Sequence, residues 1–213
     1  MSPAKIFYSE DRAHMLALIT QVTVADLIST HNDTLSCTEL PLLAREVEGG
    51  ELILEGHFAR VNPHWKCISE GDAGLATFHG ATGYISPNWY PSKYETGKVV
   101  PTWNYRRVEA YGTLMVHDDV DWLRDFVTRL TLHMERSQPR PWAVEDAPAD
   151  FVSHQLRAIV GVEMRVRHLV GIDKLGQNRT EEDFTGAVTA LSKGDPSQQE
   201  LAREMAATKR ERL

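Results

Sequence analysis

The sequence predicts an antiparallel β-barrel with helices around it. Three observations carry that reading: six or seven short apolar or alternating runs, turn residues that set most of them at meander spacing, and one long amphipathic helix late in the chain. Composition agrees with a soluble globular protein. Of 213 residues, 42% are hydrophobic and 25% charged, and no apolar run approaches the ~20 residues that a membrane span needs. A single domain is expected over residues 1–194, followed by a charged helical tail over 195–213. No apolar stretch of signal-peptide type follows Met1-Ser2-Pro3-Ala4-Lys5, and only two cysteines occur, Cys37 and Cys67. Both features point to the cytoplasm. Thirty acidic and 23 basic side chains give a net charge of −7, which works against unassisted binding to nucleic acid.

Ser9 to Val22 reads as a helix capped by Ser9, with Leu16 and Ile19 on one face. Val24–Thr30 and Leu35–Leu43 read as strands joined at His31-Asn32-Asp33, with Pro41 marking an edge, a bulge or a place where something other than a strand is the neighbour. Gly49-Gly50 turns the chain into the strand Leu52-Ile53-Leu54. A short helix after His64-Trp65 runs toward Gly71, followed by extended pieces at Leu75–Phe78 and Tyr84–Pro87. Pro87 to Pro101 is an irregular segment, long enough to suggest a functional loop. Thr102–Val116 is a long strand with Trp103, Tyr105, Arg107 and Glu109 on one face and Val108, Ala110 and Leu114 on the other. Asp118–Arg136 is the clearest helix, with Trp122, Phe126, Leu130 and Met134 recurring at i+4 as a core face. A short helix at Phe151–Val160 leads to a last strand, Val162–Val170. Thr180 with Asp183 caps a helix over Glu181–Leu191, and Ser197 with Glu200 caps a final charged helix, expected to be exposed or frayed.

Three clusters carry chemistry: His57 to Trp65, Pro101 to Arg107, and Lys174 to Arg179. In the first, Arg60 offers a planar fork beside a strand-to-helix turn, which suits a phosphate; the same residues also read as a plain turn with a solvated arginine. All three mix apolar or aromatic surface with cations and hydrogen-bonding groups. A flat ligand with a phosphate tail needs that combination. Paired metal-ligand spacing, a nucleophile elbow, a dinucleotide fingerprint and a P-loop are missing.

Five blocks in order also resemble a known family. They are Thr38–Leu43, Gly56–Trp65 (GHFARVNPHW), Gly83–Tyr90 (GYISPNWY), Val100–Tyr105 (VPTWNY) and Lys174–Arg179 (KLGQNR). The chain resembles the PaiB-like proteins, an FMN-binding split-barrel family of negative transcriptional regulators. The resemblance implies a mainly β (α+β) fold: a six-stranded antiparallel split β-barrel with peripheral helices, forming a homodimer with FMN between the subunits. It places the phosphate near Arg60 and Asn62. The flavin ring would lie near Leu40, His57 and the strand carrying Thr102, Asn104 and Tyr105, with Trp65 also in the set; Lys174, Gln177 and Asn178 would either touch the phosphate from the neighbouring subunit or lock the final helix. Gly176 stands where the family resemblance implies a serine.

Two functions follow. One is an FMN-binding regulator that contacts DNA or a protein partner, with Arg106-Arg107, Arg165 with Arg167, and Lys209, Arg210 and Arg212 as candidate basic groups. The other is an FMN-dependent oxidoreductase, with Asn88–Gly97 as a lid and His57 or His64 as acid or base. A flavin-free scaffold is the third and plainest reading.

Overall fold

The computed structural model describes residues 4–210, with side chains to 208. The elements are β1 (Tyr8–Ser9), α1 (Arg12–Val22), β2 (Val24–His31), β3 (Thr34–Pro41), β4 (Leu43–Glu46), β5 (Leu52–Ala59), β6 (Ala73–Ile85), α2 (Ser92–Thr96), β7 (Thr102–His117), α3 (Val120–Glu135), α4 (Ala149–Leu156), β8 (Ile159–Lys174), α5 (Glu181–Leu191) and α6 (Pro196–Arg210). Strands follow the order β3-β2-β6-β7-β8-β5-β4, with β1 paired to β8. This is a mixed fold on an antiparallel sheet, as expected, but with eight strands among the described residues rather than six.

Two physical causes account for the extra strands. Pro41 has no N–H, so the ladder between β2 and β3 ends there, at the pair Val24 and Pro41. Leu42 then turns inward to 1% exposure, and its amide donates to Thr23 O at 2.8 Å. Beyond it the chain pairs with β5 instead of β2, which makes β4 a strand of its own. The other addition is the two-residue β1, whose Tyr8 and Ser9 pair with Ile172 and Gly171. In the opposite sense, the two extended pieces expected at Leu75–Phe78 and Tyr84–Pro87 are one continuous strand, β6.

The chain divides into two compact units, Met1–Leu18, His79–Val108 and Val170–Leu213 in the first, and Ile19–Phe78 with Glu109–Leu169 in the second. The second holds the β2–β3 hairpin, whose turn residues Asn32 and Asp33 have φ of 46° and 60°, as a two-residue turn demands. Here the sheet rolls up. A Cβ on Gly56 of β5 would lie 2.7 Å from Leu40 Cδ1 and 2.8 Å from Pro41 O, so the end of β3 packs flat on β5 and only glycine fits between them. Over β5 lies α3, with Leu123 and Phe126 buried. The stripe foreseen on this helix holds only in its first half, since Met134 is half exposed.

In the first unit, Ile85, Tyr90, Leu175, Leu191, Leu201 and Met205 belong to one buried cluster. Helix α6 is therefore a core element and not the exposed tail that its charge suggested: Leu201, Ala202 and Met205 recur on one face and are at most 3% exposed. Its cap is displaced too. Gln198 N donates to Asp195 Oδ1 at 2.9 Å while Asp195 N donates to Gln198 Oε1 at 3.1 Å, so the reciprocal box is Asp195 with Gln198 rather than Ser197 with Glu200. Similarly, His14 N donates to Asp11 Oδ1, which places the cap of α1 at Asp11 and not Ser9. The Thr180 cap of α5 stands where the sequence put it, with Asp183 N donating to Thr180 Oγ1 at 3.3 Å.

The tightest backbone approach in the second unit is at Gly112 of β7, where a Cβ would overlap the carbonyl of Arg165 in β8. That neighbour is backbone and cannot swing aside. Gly112→Ala is expected to cost about 3 kcal/mol of unfolding free energy. Urea denaturation measures it, and a change below about 0.5 kcal/mol contradicts the close approach.

Candidate cofactor site

The residues singled out from the sequence fall into two groups, one in each unit. In the second unit the turn after β5 is internally satisfied. Arg60 Nε donates to Arg157 O at 2.7 Å, Nη1 to Asp118 Oδ2 at 2.9 Å, and Nη2 to both Asp118 Oδ1 and Ile159 O. Its fork is thus closed on a carboxylate and two carbonyls, and the hydrogen bond from Arg60 holds the Asp118 carboxyl below the usual range. Asn62 is equally committed: Oδ1 accepts from His64 N at 2.9 Å, capping the short Pro63–Cys67 turn, and Nδ2 donates to Thr38 Oγ1 at 3.2 Å. Trp65 Nε1 donates back to Arg60 O at 3.0 Å.

Behind this turn His64 is buried, with Nε2 at 2.9 Å from Ser29 Oγ and Nδ1 at 2.8 Å from Thr38 Oγ1. Both hydroxyls can donate or accept, so the neutral ring is fully served. Leu40 is 4% exposed and packs toward β5. His57 points the other way, under α3, with its ring 5.8 Å from Phe126 in an edge contact. Burial pushes the pKa of His57 and His64 below the ordinary histidine value.

In the first unit, strand alternation separates residues that the sequence reading had grouped. Asn104 and Arg106 face inward, at 3% and 8% exposure. Asn104 Nδ2 donates to Met205 Sδ at 3.6 Å, and Arg106 pairs with Asp173 at 2.9 Å and with Glu204. That network was not legible in advance, since Arg106 read as a surface cation. Tyr105 lies on the opposite face of β7, together with the exposed Trp103. Lys174 Nζ sits 5.9 Å from the centre of the Tyr105 ring and the Arg107 guanidinium 5.8 Å from it. Trp103 Nε1 donates to Thr82 Oγ1 at 2.6 Å, which fixes its indole, and the half-exposed Tyr84 ring stands 6.4 Å away.

Lys174 spends two of its three protons, on Thr102 Oγ1 at 2.8 Å and Trp103 O at 2.6 Å. Burial, with Arg179 nearby, lowers its pKa. Gln177 stitches the following turn, accepting from Leu175 N at 2.8 Å and donating to Asp173 O, while Asn178 is exposed. Gly176 has φ +87°, a conformation that strains a serine, and its missing Cβ faces Asn104, Met205 and Phe184 at 3.5 Å. A Cβ there would make ordinary van der Waals contact with these three, so the backbone φ rather than crowding favours glycine. The expected lid is also pinned: Tyr90 is 2% exposed beneath the Arg179 guanidinium, and Ser92 bonds the Asp183 carboxylate through both N and Oγ.

What remains open is an aromatic shelf, Trp103 with Tyr84 and Tyr105, flanked by Lys174 and Arg107. A shelf of this kind can stack a planar ring and meet an anion at its edge.

Comparison with known proteins shows the family to which the chain belongs. The model of the family described as "Putative FMN-binding domain" matches residues 1–168. An uncharacterised protein of Aspergillus fumigatus is 32% identical over 172 residues, 66% of each chain. The protein named Protease synthase and sporulation protein PAI 2, of Bacillus subtilis, is 26% identical over 202 residues, 94% of each chain. Among solved structures, the flavocytochrome Anf3 of Azotobacter vinelandii shares the fold, with a TM-score of 0.58 at 14% identity over 87% of this chain and 78% of that one.

The buried neutral histidines set a pH dependence. With folded pKa values below the unfolded value near 6.5, the unfolded chain takes up protons that the folded chain refuses. Their contribution is present above about pH 6.5 and is lost as pH falls through the depressed values. The thermal midpoint is expected to drop between pH 7.5 and 5, and to drop less in His57→Phe. Identical slopes for the two chains contradict the assignment.

Proposed function

The chain belongs to the PaiB-like family built on the FMN-binding split-barrel domain, and from that premise we propose that it is an FMN-binding homodimer acting as a negative transcriptional regulator. The observation that supports FMN most directly is the shelf of Trp103 and Tyr105 with cations over its rim. The residues present fit the group. The exposed Trp103 face matches an isoalloxazine, and the remaining proton of Lys174, aided by Arg107, matches a phosphate. When bound, FMN supplies one- or two-electron redox chemistry. The chain's own part is to hold the ring flat: the Thr82 hydroxyl fixes Trp103, and Lys174 is held by Thr102 and by the Trp103 carbonyl. In the dimer, the exposed aromatics Tyr84 and Trp103 are the surface that the partner covers.

The regulatory reading draws on the Bacillus subtilis relative, which is named for protease synthesis and sporulation rather than for a substrate. Electrostatics favour regulation through a protein partner over a direct grip on DNA. The net charge is −7, Arg106 is buried against Asp173 and Glu204, and Arg165 is paired with Glu163 at 3.2 Å. The side chains of Lys209 and Arg210, and all of Arg212, lie outside the described residues, as do Met1-Ser2-Pro3. No described helix is long and apolar enough to cross a membrane.

Titration of FMN, read by flavin fluorescence, tests the site. Saturable quenching is expected with the wild type, and Trp103→Ala is expected to weaken binding about tenfold, by loss of stacking. Lys174→Met should weaken FMN but leave riboflavin, which has no phosphate, unchanged. Loss of FMN in Arg60→Ala, with Lys174→Met unaffected, would move the phosphate to the other unit and overturn the assignment. Sedimentation of the loaded protein at twice the chain mass checks the dimer.

A further inference from the structure

In the first unit, a cavity of about 100 Å³ opens beside the turn that joins β8 to α5. Its floor is apolar: Leu175 is 0% and Met205 1% exposed, and Phe184 lines it too. Gln177, Thr180 and Thr208 give it polar groups, and Arg179 and Glu181 its two charges. Lys174, Thr102 and Trp103 do not line it, which makes it distinct from the shelf.

Arg179 is the unusual member. One face of its guanidinium lies over the buried Tyr90 ring, 4.9 Å from the ring centre. Among the described residues, no salt bridge reaches it. The two acids of the next turn do not serve it. Asp183 spends its carboxylate on Ser92 N and Oγ at 3.1 and 2.6 Å, and Glu181 is exposed, where solvent screens it. Arg179 also stands close enough to Lys174 to help lower its pKa, so positive charge gathers at this end of β8. A half-buried guanidinium suits a carboxylate, which its planar fork meets with two hydrogen bonds. Thr180 adds a donor: its Oγ1 accepts from Asp183 N at 3.3 Å, which leaves the hydroxyl proton for a ligand.

We propose that this cavity binds a short aliphatic monocarboxylate, with the carboxylate on the Arg179 guanidinium and the Thr180 hydroxyl and the chain over Leu175, Phe184 and Met205. The size follows from the volume: a cavity of ~150 Å³ takes benzene, so about 100 Å³ takes about four to six non-hydrogen atoms. The single charge follows from the lining, where Arg179 is the one cation and Glu181 opposes a second negative charge. The apolar body follows from the floor, which an inorganic anion would leave in contact with water. FMN is too large for this cavity, so the inference and the flavin reading fail independently.

Titration of the isotope-labelled full-length protein with butanoate, butanamide and succinate, followed by NMR at the amides of Gly176, Gln177 and Thr180, tests this. The three compounds share a four-carbon chain but carry one, no and two negative charges. Butanoate is expected to saturate at about millimolar concentration, and the other two to bind about tenfold more weakly. In Arg179→Met, butanoate should fall to the affinity of butanamide while butanamide is unchanged. Thr208→Leu narrows the cavity and should weaken butanoate and butanamide alike, with circular dichroism melting confirming that both variants are folded. Saturating FMN should leave the butanoate shifts in place. Four results overturn the proposal: no saturable shift at those amides, equal affinity for the three compounds, undiminished butanoate binding in folded Arg179→Met, or displacement of butanoate by FMN.

Discussion

One buried carboxylate organises the second unit. Glu55, at the centre of β5, is 1% exposed and accepts from two guanidinium groups at once. Arg45 of β4 reaches it at 3.1 and 3.2 Å, and Arg129 of α3 at 2.5 and 3.2 Å. Burial alone would raise its pKa, but the hydrogen bonds from Arg45 and Arg129 outweigh that and keep it ionised. Removing either arginine leaves an incompletely compensated charge in the interior, a change of the class that costs several kcal/mol. The pair of forks ties an edge strand, a central strand and the covering helix together. With α3 held there, Leu123 and Phe126 are buried and His57 is turned beneath the helix.

The first unit has a comparable device in Arg106. Its guanidinium joins Asp173 of β8 to Glu204 of α6, and His14 of α1 bonds the other oxygen of Asp173 at 2.9 Å. Three elements far apart in sequence are fixed around one inward-facing cation. This arrangement keeps the opposite face of β7 free for Trp103 and Tyr105. In both units, then, an arginine that looks like a solvated charge in the sequence is spent on the frame.

The sequence revealed the elements whose signals are local. The strands around Asn32-Asp33 and Gly49-Gly50 follow from turn chemistry, α3 from its periodicity, and the α5 cap from Thr180 with Asp183. Alternation along Thr102–Val116 correctly divided β7 into two faces. The features it missed depend on distant partners. Nothing near Arg60 announces Asp118, 58 residues on, and nothing near Arg106 announces Asp173 and Glu204. Helix α6 looked like an exposed tail because of its five charged residues, yet Leu201, Ala202 and Met205 share one buried face. Pro41 was noticed as an irregularity. Only the amide of Leu42 bonding Thr23 shows that the strand ends there and a new one begins. For the candidate site, residue types were legible, but which of them stay available was decided by these long-range pairings.

The central claim is that FMN lies on the β7 shelf. The most direct measurement is a crystal structure of the protein grown with FMN. The account predicts ring density against Trp103 and Tyr105, with the phosphate at Lys174 and Arg107, and the Arg60–Asp118 pair intact. Phosphate density at Arg60, with Asp118 displaced and the shelf bare, would contradict it.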